Sequence, residues 1–120
     1  MNVLDAHRVD GVLRLGSLKV PVSSEGAAAV AGQSSDMFGV GIRPEHFTVA
    51  SEGLAGEVSV VEALGSESFV HVRIAHEGEE QLIVARVDGQ SEVNRGDTIT
   101  LAIDGPAHVF GDDGLRISTV

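Results

Sequence analysis

Five histidines, His7, His46, His71, His76 and His108, are the side chains best suited to hold a metal ion. Zinc sites bring two or more ligands to one face, commonly through short paired spacings. These five show no such pairing. His71 and His76 fall on opposite faces of any single strand that carries both, so the five read as surface or partly buried polar residues. Glu77, Glu79 and Glu80 cluster around Gly78. Paired carboxylates can do acid–base work, but a charged run around a glycine reads as a solvated turn. Asp112-Asp113-Gly114 starts like a calcium loop and lacks the later ligands and the closing glutamate, so it too reads as turn chemistry.

Phosphate chemistry is equally unsupported. The pattern Gly-x-x-x-x-Gly-Lys-Ser/Thr is absent and Lys19 is the sole lysine, so no P-loop can form. There is no Gly-x-Ser-x-Gly elbow and no cysteine, which removes disulfides and thiolate metal sites. With no catalytic residues, no metal set and no cofactor loop, the expectation is a domain that is not an enzyme by itself and holds no cofactor of its own.

One segment stands apart. In Gly39-Val40-Gly41-Ile42-Arg43-Pro44-Glu45-His46 an apolar strand runs into a rigid exit. Pro44 removes a ladder donor and pushes Arg43 into an extended conformation. Arg43 and Glu45 lie close enough in sequence to pair, or to hydrogen-bond neighbouring backbone.

The elements around these residues read as strands. Val and Ile dominate the apolar set, there are four Phe and neither Trp nor Tyr, and 15 glycines punctuate the chain. β-Branched residues suit a pleated surface, and frequent glycine marks turns. Period-two alternation runs through Leu13–Leu15 and Leu18–Val22, with Gly16-Ser17 between them as a hairpin turn and Pro21 marking an edge. Further strands are expected at Phe38–Ile42, Glu57–Glu62, Val70–Ile74, Leu82–Val87, Ile99–Ile103, His108–Phe110 and Leu115–Ile117. Leu82–Val87 is apolar on both faces apart from Arg86 and reads as a central, well-covered strand. Leu64-Gly65-Ser66-Glu67 reads as a connection or a bulged strand. Ser23–Asp36 offers an alanine run that favours a turn or two of helix with Ser24 as cap, but its flanking Gly and Ser argue for a variable loop, which is the preferred reading. The fold class expected is all-β: a small OB-like β-barrel or a sandwich with additional strands and little or no helix, occupying residues 1–120 as one domain.

Charge narrows the partners. Eighteen acidic residues against eight basic ones leave a net charge of −10. Such a field repels nucleic acid and anionic lipid, and the basic residues are scattered. No apolar run reaches the length of a membrane span, and Met1-Asn2-Val3-Leu4-Asp5 lacks the pattern of a signal peptide.

Gly41-Ile42-Arg43-Pro44-Glu45-His46 resembles a signature of the C-terminal, transport-associated OB (TOBE-type) domain of ATP-binding subunits in ABC carbohydrate importers of the maltose and glycerol-3-phosphate type. The stretch Gly56–Glu67 is similar to that family's second block. Ala85-Arg86-Val87 with Gly96-Asp97 is similar to the third, and His108-Val109-Phe110 with Gly114-Leu115-Arg116 to the last. Met1–Leu4 resembles the stretch after the nucleotide-binding domain. The resemblance implies an OB-type barrel that regulates and dimerises an ATPase subunit, with ATP and Mg bound in a separate N-terminal domain. It implies a homodimer through the same domain, transmembrane permease subunits as partners, a regulatory protein in some members, and a peripheral place on the cytoplasmic face of the membrane. It marks Gly41, Arg43, Pro44, Glu45, His46, Gly56, Glu62 and Gly65 as signature or regulatory-interface positions. A second reading is a barrel that binds a molybdate-like oxyanion through hydroxyls such as those of Ser59, Ser66 and Ser68. The acidic background opposes it.

Overall fold

In the computed structural model of the chain, the described residues are 1–16, 18–76, 78–89, 92–105, 107–111 and, as backbone, 116–118. The expectations for Ser17, Glu77, Asp112-Asp113-Gly114 and Leu115 lie outside them. The fold is all-β, with ten strands, one short α-helix and one 3-10 turn among the described residues. The strands form two antiparallel sheets, one of six strands and one of four, and not a single closed barrel. The chain divides into two compact units, Met1–Ile42 with Ile103–Val120, and Arg43–Ala102.

In the first unit, β1 (Asn2–Val9), β2 (Val12–Leu15), β3 (Leu18–Lys19), β4 (Met37–Ile42), β9 (His108–Phe110) and β10 (Arg116–Ser118) pair in the order β10-β9-β4-β1-β2-β3. β1 and β2 form a hairpin that pairs Val9 with Val12. Its turn is Asp10-Gly11, both with positive φ, 53° and 79°. That is the backbone of a type I′ turn, which Asp-Gly favours. β2 and β3 form the expected second hairpin, pairing Leu15 with Leu18. The strand expected through Val22 stops at Lys19, ahead of Pro21, and lies at the sheet edge as Pro21 suggested. Leu4, Ala6, Leu13, Leu15, Phe38, Val40, Ile42 and Val109 make the buried face.

The loop preferred for Ser23–Asp36 is corrected. Ser24–Ala31 is an α-helix, α1, and its N-cap is Ser23 rather than Ser24. The Ser23 hydroxyl oxygen accepts from the Gly26 N–H at 3.0 Å, a standard relief for an orphan amide. Glu25 sits in the first turn, where a carboxylate suits the helix dipole. The other end is held from far away. The Arg8 guanidinium donates to the carbonyls of Val30 (2.6 Å), Gln33 (3.1 Å) and Ser35 (2.7 Å), and pairs with Asp36 at 3.0 Å. It also lies over the Phe38 ring, 5.5 Å from the centroid. A helix this short is marginal alone, and Arg8 supplies the tertiary hold that local sequence does not display.

In the second unit, β5 (Phe47–Ala63), β6 (Glu67–His76), β7 (Glu79–Asp88) and β8 (Thr98–Ile103) pair in the order β7-β6-β5-β8. The central, well-covered strand expected at Leu82–Val87 is instead β7, at the edge of this sheet. Ile83 and Ala85 are buried, while Leu82 is 52% exposed. Its second apolar row belongs to the outward face. Val58, Val70, Val72, Ile74, Ile83, Ala85 and Leu101 fill the inner side. β5 carries a bulge. Val58 pairs with Val72, and the next partner of β6 is Val60 with His71, which leaves Ser59 as the extra residue. Without that insertion Val60 would share the buried face of Val58. With it, Val60 points outward and is 47% exposed.

Candidate functional site

The signature segment begins at the end of β4 and crosses into the second unit. Gly41 pairs with Val3 on one side and His108 on the other. A Cβ placed on it would stand 2.7 Å from Met1 Sδ, 2.8 Å from Met1 Cε and 3.0 Å from Phe110 Cε2. The crowding comes from the far end of the exposed Met1 side chain and the edge of the Phe110 ring, not from backbone, so a methyl here needs only those side chains to give way. The groove alongside, about 460 Å³, is bordered by Val3, Asp5, Met37 and Phe110.

Arg43 is extended at φ −70° and ψ 147°, as the following proline demands. Pro44 opens a 3-10 turn, Pro44–His46, closed by the His46 N–H donating to the Arg43 carbonyl at 2.9 Å. Glu45 projects from this turn into solvent. Its carboxyl is held below the usual range, first by a hydrogen bond from its own backbone amide. An opposing effect of burial comes next, and the positive charges of Arg86, His46 and Arg43, each smaller than it, act in the same direction as the hydrogen bond. Of the two options open to Glu45, backbone hydrogen bonding dominates. The cation that matters most is Arg86 on β7, not its neighbour Arg43.

The second block supplies the outward face of the four-stranded sheet. Gly56 pairs with Ile74, and a Cβ there would run into the Arg73 carbonyl, Val72 Cγ1 and Ile74 Cγ2. Glu62 Oε1 lies 2.6 Å from His71 Nε2. Gly65 turns the β5–β6 hairpin at φ +89°, with open space where its Cβ would be. The connection reading of Leu64–Glu67 holds: the Leu64 N–H donates to the Glu67 carbonyl at 2.9 Å. Gly56, Glu62 and Gly65 are thus brought onto one hairpin. Gly41 belongs to the other unit.

The same face carries residues that composition and spacing missed. Arg73 donates to Glu57 Oε1 at 2.6 Å and lies 3.6 Å from Glu80 Oε1. Arg86 lies 3.4 Å from Glu67 Oε2. Between these pairs sit Val60 and Leu82, both about half exposed. Strand register makes this cluster, since His71 stands opposite both Val60 and Val84, and Arg73 opposite both Glu57 and Leu82. Alternation in β7 is the sequence signal for this face, because Leu82, Val84 and Arg86 share one side of the strand. His71 and His76 do fall on opposite faces of β6, with His76 buried. Among the described residues no group of three or more His, Asp or Glu gathers closely enough to hold a metal ion. The candidate oxyanion hydroxyls are dispersed: Ser59 is at the bulge, Ser66 is exposed in a turn and Ser68 is buried in β6.

Residues 40–110 match the family model of the TOBE domain. This chain belongs to the TOBE-domain family. The matched span runs from the last residues of β4 through β9, so it takes in both the signature segment and the outward sheet face. The TOBE chain is 36% identical over 118 residues to the sn-glycerol-3-phosphate import ATP-binding protein UgpC of Bordetella pertussis, covering 92% of this chain and 29% of that protein. It is 29% identical over 137 residues to the diacetylchitobiose uptake system ATP-binding protein MsiK of Streptomyces coelicolor, covering 98% and 36%. It is 37% identical over 81 residues to the maltose/maltodextrin import ATP-binding protein MalK of Vibrio cholerae, covering 62% and 21%. The TOBE chain thus spans about a third or less of the length of these relatives. It corresponds to their non-catalytic TOBE region rather than to their ATPase part. No helix among the described residues is long and apolar enough to cross a membrane.

Proposed function

We propose that this chain is the regulatory and dimerisation domain of an ATP-binding subunit of a carbohydrate-type ABC importer. ATP and Mg are bound elsewhere in the parent subunit, which works with transmembrane permease subunits at the cytoplasmic face of the membrane. The TOBE domain contributes binding and mechanical coupling: it pairs with its twin and biases the opening and closing of the attached ATPases. A regulatory protein would act by docking on the same domain.

The observation that carries this reading is the outward face of the four-stranded sheet. Val60 and Leu82 are exposed there at 47% and 52%, framed by Glu57–Arg73–Glu80, Glu62–His71 and Glu67–Arg86. Exposed apolar side chains on β5 and β7, interleaved with charges of both signs that include Arg73 and His71 on β6 between them, suit a two-fold contact in which each patch meets its own copy. A bulge that turns a valine outward is a costly choice for a face meant only for water. Sedimentation equilibrium of the 120-residue chain tests the reading. A monomer–dimer equilibrium that Leu82→Glu weakens by tenfold or more, with unchanged thermal unfolding of the monomer, supports it. A strict monomer at the highest attainable concentration, or a dimer indifferent to Leu82→Glu and Val60→Glu, overturns the assignment of this face.

A further inference from the structure

The first unit contains a cavity that the coupling role does not use. It measures about 580 Å³ and lies between β3, the segment that follows it, and α1. Its walls are Val12, Val20, Val22, Ala27 and Val30, and its one cation is Lys19. The volume falls within the range of small-molecule sites, which are mostly apolar with a few placed polar groups. The walls are tied in place. The Val20 N–H donates to the Leu13 carbonyl and the Pro21 carbonyl accepts from the Ala107 N–H, each at 2.9 Å. The Val30 carbonyl is held by Arg8 at 2.6 Å.

The lining selects the ligand by chemistry. A sugar needs several hydrogen-bonding side chains and is commonly stacked on an aromatic ring. Here there are valines and an alanine, in a chain without Trp or Tyr. A nucleotide or other polyanion needs several cations or a nest of amides. Here there is one ammonium. Lys19 is the chain's only lysine, set in a net charge of −10. Among the described residues no carboxylate lies within salt-bridge reach of it. An unneutralised cation at the mouth of an apolar pocket complements a molecule with one negative head and an apolar body.

We propose that this pocket binds a small monoanionic amphiphile, a medium-chain carboxylate, with its head on Lys19 and its chain against Val12, Val22 and Ala27. The site is independent of the sheet face assigned to dimerisation, so the failure of either reading leaves the other standing. The test is an NMR titration of the isotopically labelled 120-residue chain with decanoate below its micelle concentration, with decanol as the uncharged comparator. The result expected is saturable shifts centred on Val12, Val20, Val22, Ala27 and Val30. Lys19→Gln should weaken binding roughly two- to fivefold, the worth of an exposed ion pair, and Lys19→Arg should retain it. Ala27→Trp, at a solvent-facing helix position, should fill the pocket and abolish saturation. Shifts that are scattered and do not saturate overturn the site. Equal binding of decanoate and decanol, with Lys19→Gln indifferent, overturns the assignment of the head group.

Discussion

At the residue scale, the glycines of the signature blocks do different work although they look alike in sequence. Gly56 lies under the Arg73 carbonyl, so the obstacle to a side chain is space. Gly65 has open space, so the obstacle is its positive φ of 89°. Gly56→Ala is expected to cost roughly 2–3 kcal/mol, because backbone must shift to admit the methyl. Gly65→Ala is expected to cost about 1 kcal/mol through left-handed backbone strain alone. Urea unfolding midpoints of the two variants check the order, and the reverse order would refute the packing account. Glu45 makes a second prediction. Its carboxyl is held low in the folded chain by its own amide and by Arg86. The unfolded chain therefore binds the proton more readily, and stability rises with pH through that interval. The contribution of Glu45 is complete above the ordinary glutamate range and is lost as pH falls through the lowered folded value. Carbon-detected titration should show Glu45 ionising below the ordinary glutamate value, and Glu45→Gln should flatten the acid limb of the stability curve. A Glu45 titrating at the ordinary glutamate value would contradict the turn geometry.

At the scale of elements, α1 depends on a residue in another strand. Its alanines and its Ser23 cap permit a helix, but the carbonyls at and beyond its last turn are satisfied by Arg8 of β1. The Val30 carbonyl also accepts from the Gln33 N–H at 3.1 Å, and charge-assisted bonds such as those from Arg8 are among the stronger local terms. Arg8→Ala is expected to cost roughly 2 kcal/mol and to release the helix first. Amide hydrogen exchange should then rise at Ala27 to Gly32 while β1 and β4 keep their protection. Uniform loss of protection across the unit would mean that the helix and the sheet unfold as one. The Leu82–Val87 strand carries the complementary lesson. Apolar residues on both faces suggested a covered position, and the strand is an edge whose second apolar row contributes to a surface. Alternation reports which residues share a face. It does not report whether that face meets the same molecule's core or another molecule.

At the scale of the whole molecule, charge and association oppose each other. Two copies at −10 each repel at long range, while the contact proposed here sets exposed apolar side chains among ion pairs already satisfied within each copy. Screening should therefore favour pairing. Sedimentation equilibrium at low and at moderate ionic strength is expected to show tighter dimers with added salt. Weakening with salt would mean that ion pairs between copies, rather than the Val60–Leu82 patch, hold the dimer together.

The sequence by itself determined the strand-rich class, the Leu64–Glu67 connection, the absence of P-loop chemistry and the family, because these depend on residue type, period and short contiguous blocks. Gly41 to His46 could be singled out, and the extended Arg43 and the Pro44 turn follow from the proline alone. Tertiary structure decided the rest. The β1 strand and its Asp10-Gly11 turn were legible in principle, yet only pairing with β4 showed that Leu4 and Ala6 face a core. The helix needed Arg8 from the start of the chain. The outward cluster of Val60, Leu82, Arg73 and His71 needed the register of three strands and one inserted residue at Ser59. Such contacts join positions far apart in the chain, and local pattern carries no signal for them because register is set by packing and not by neighbouring residues.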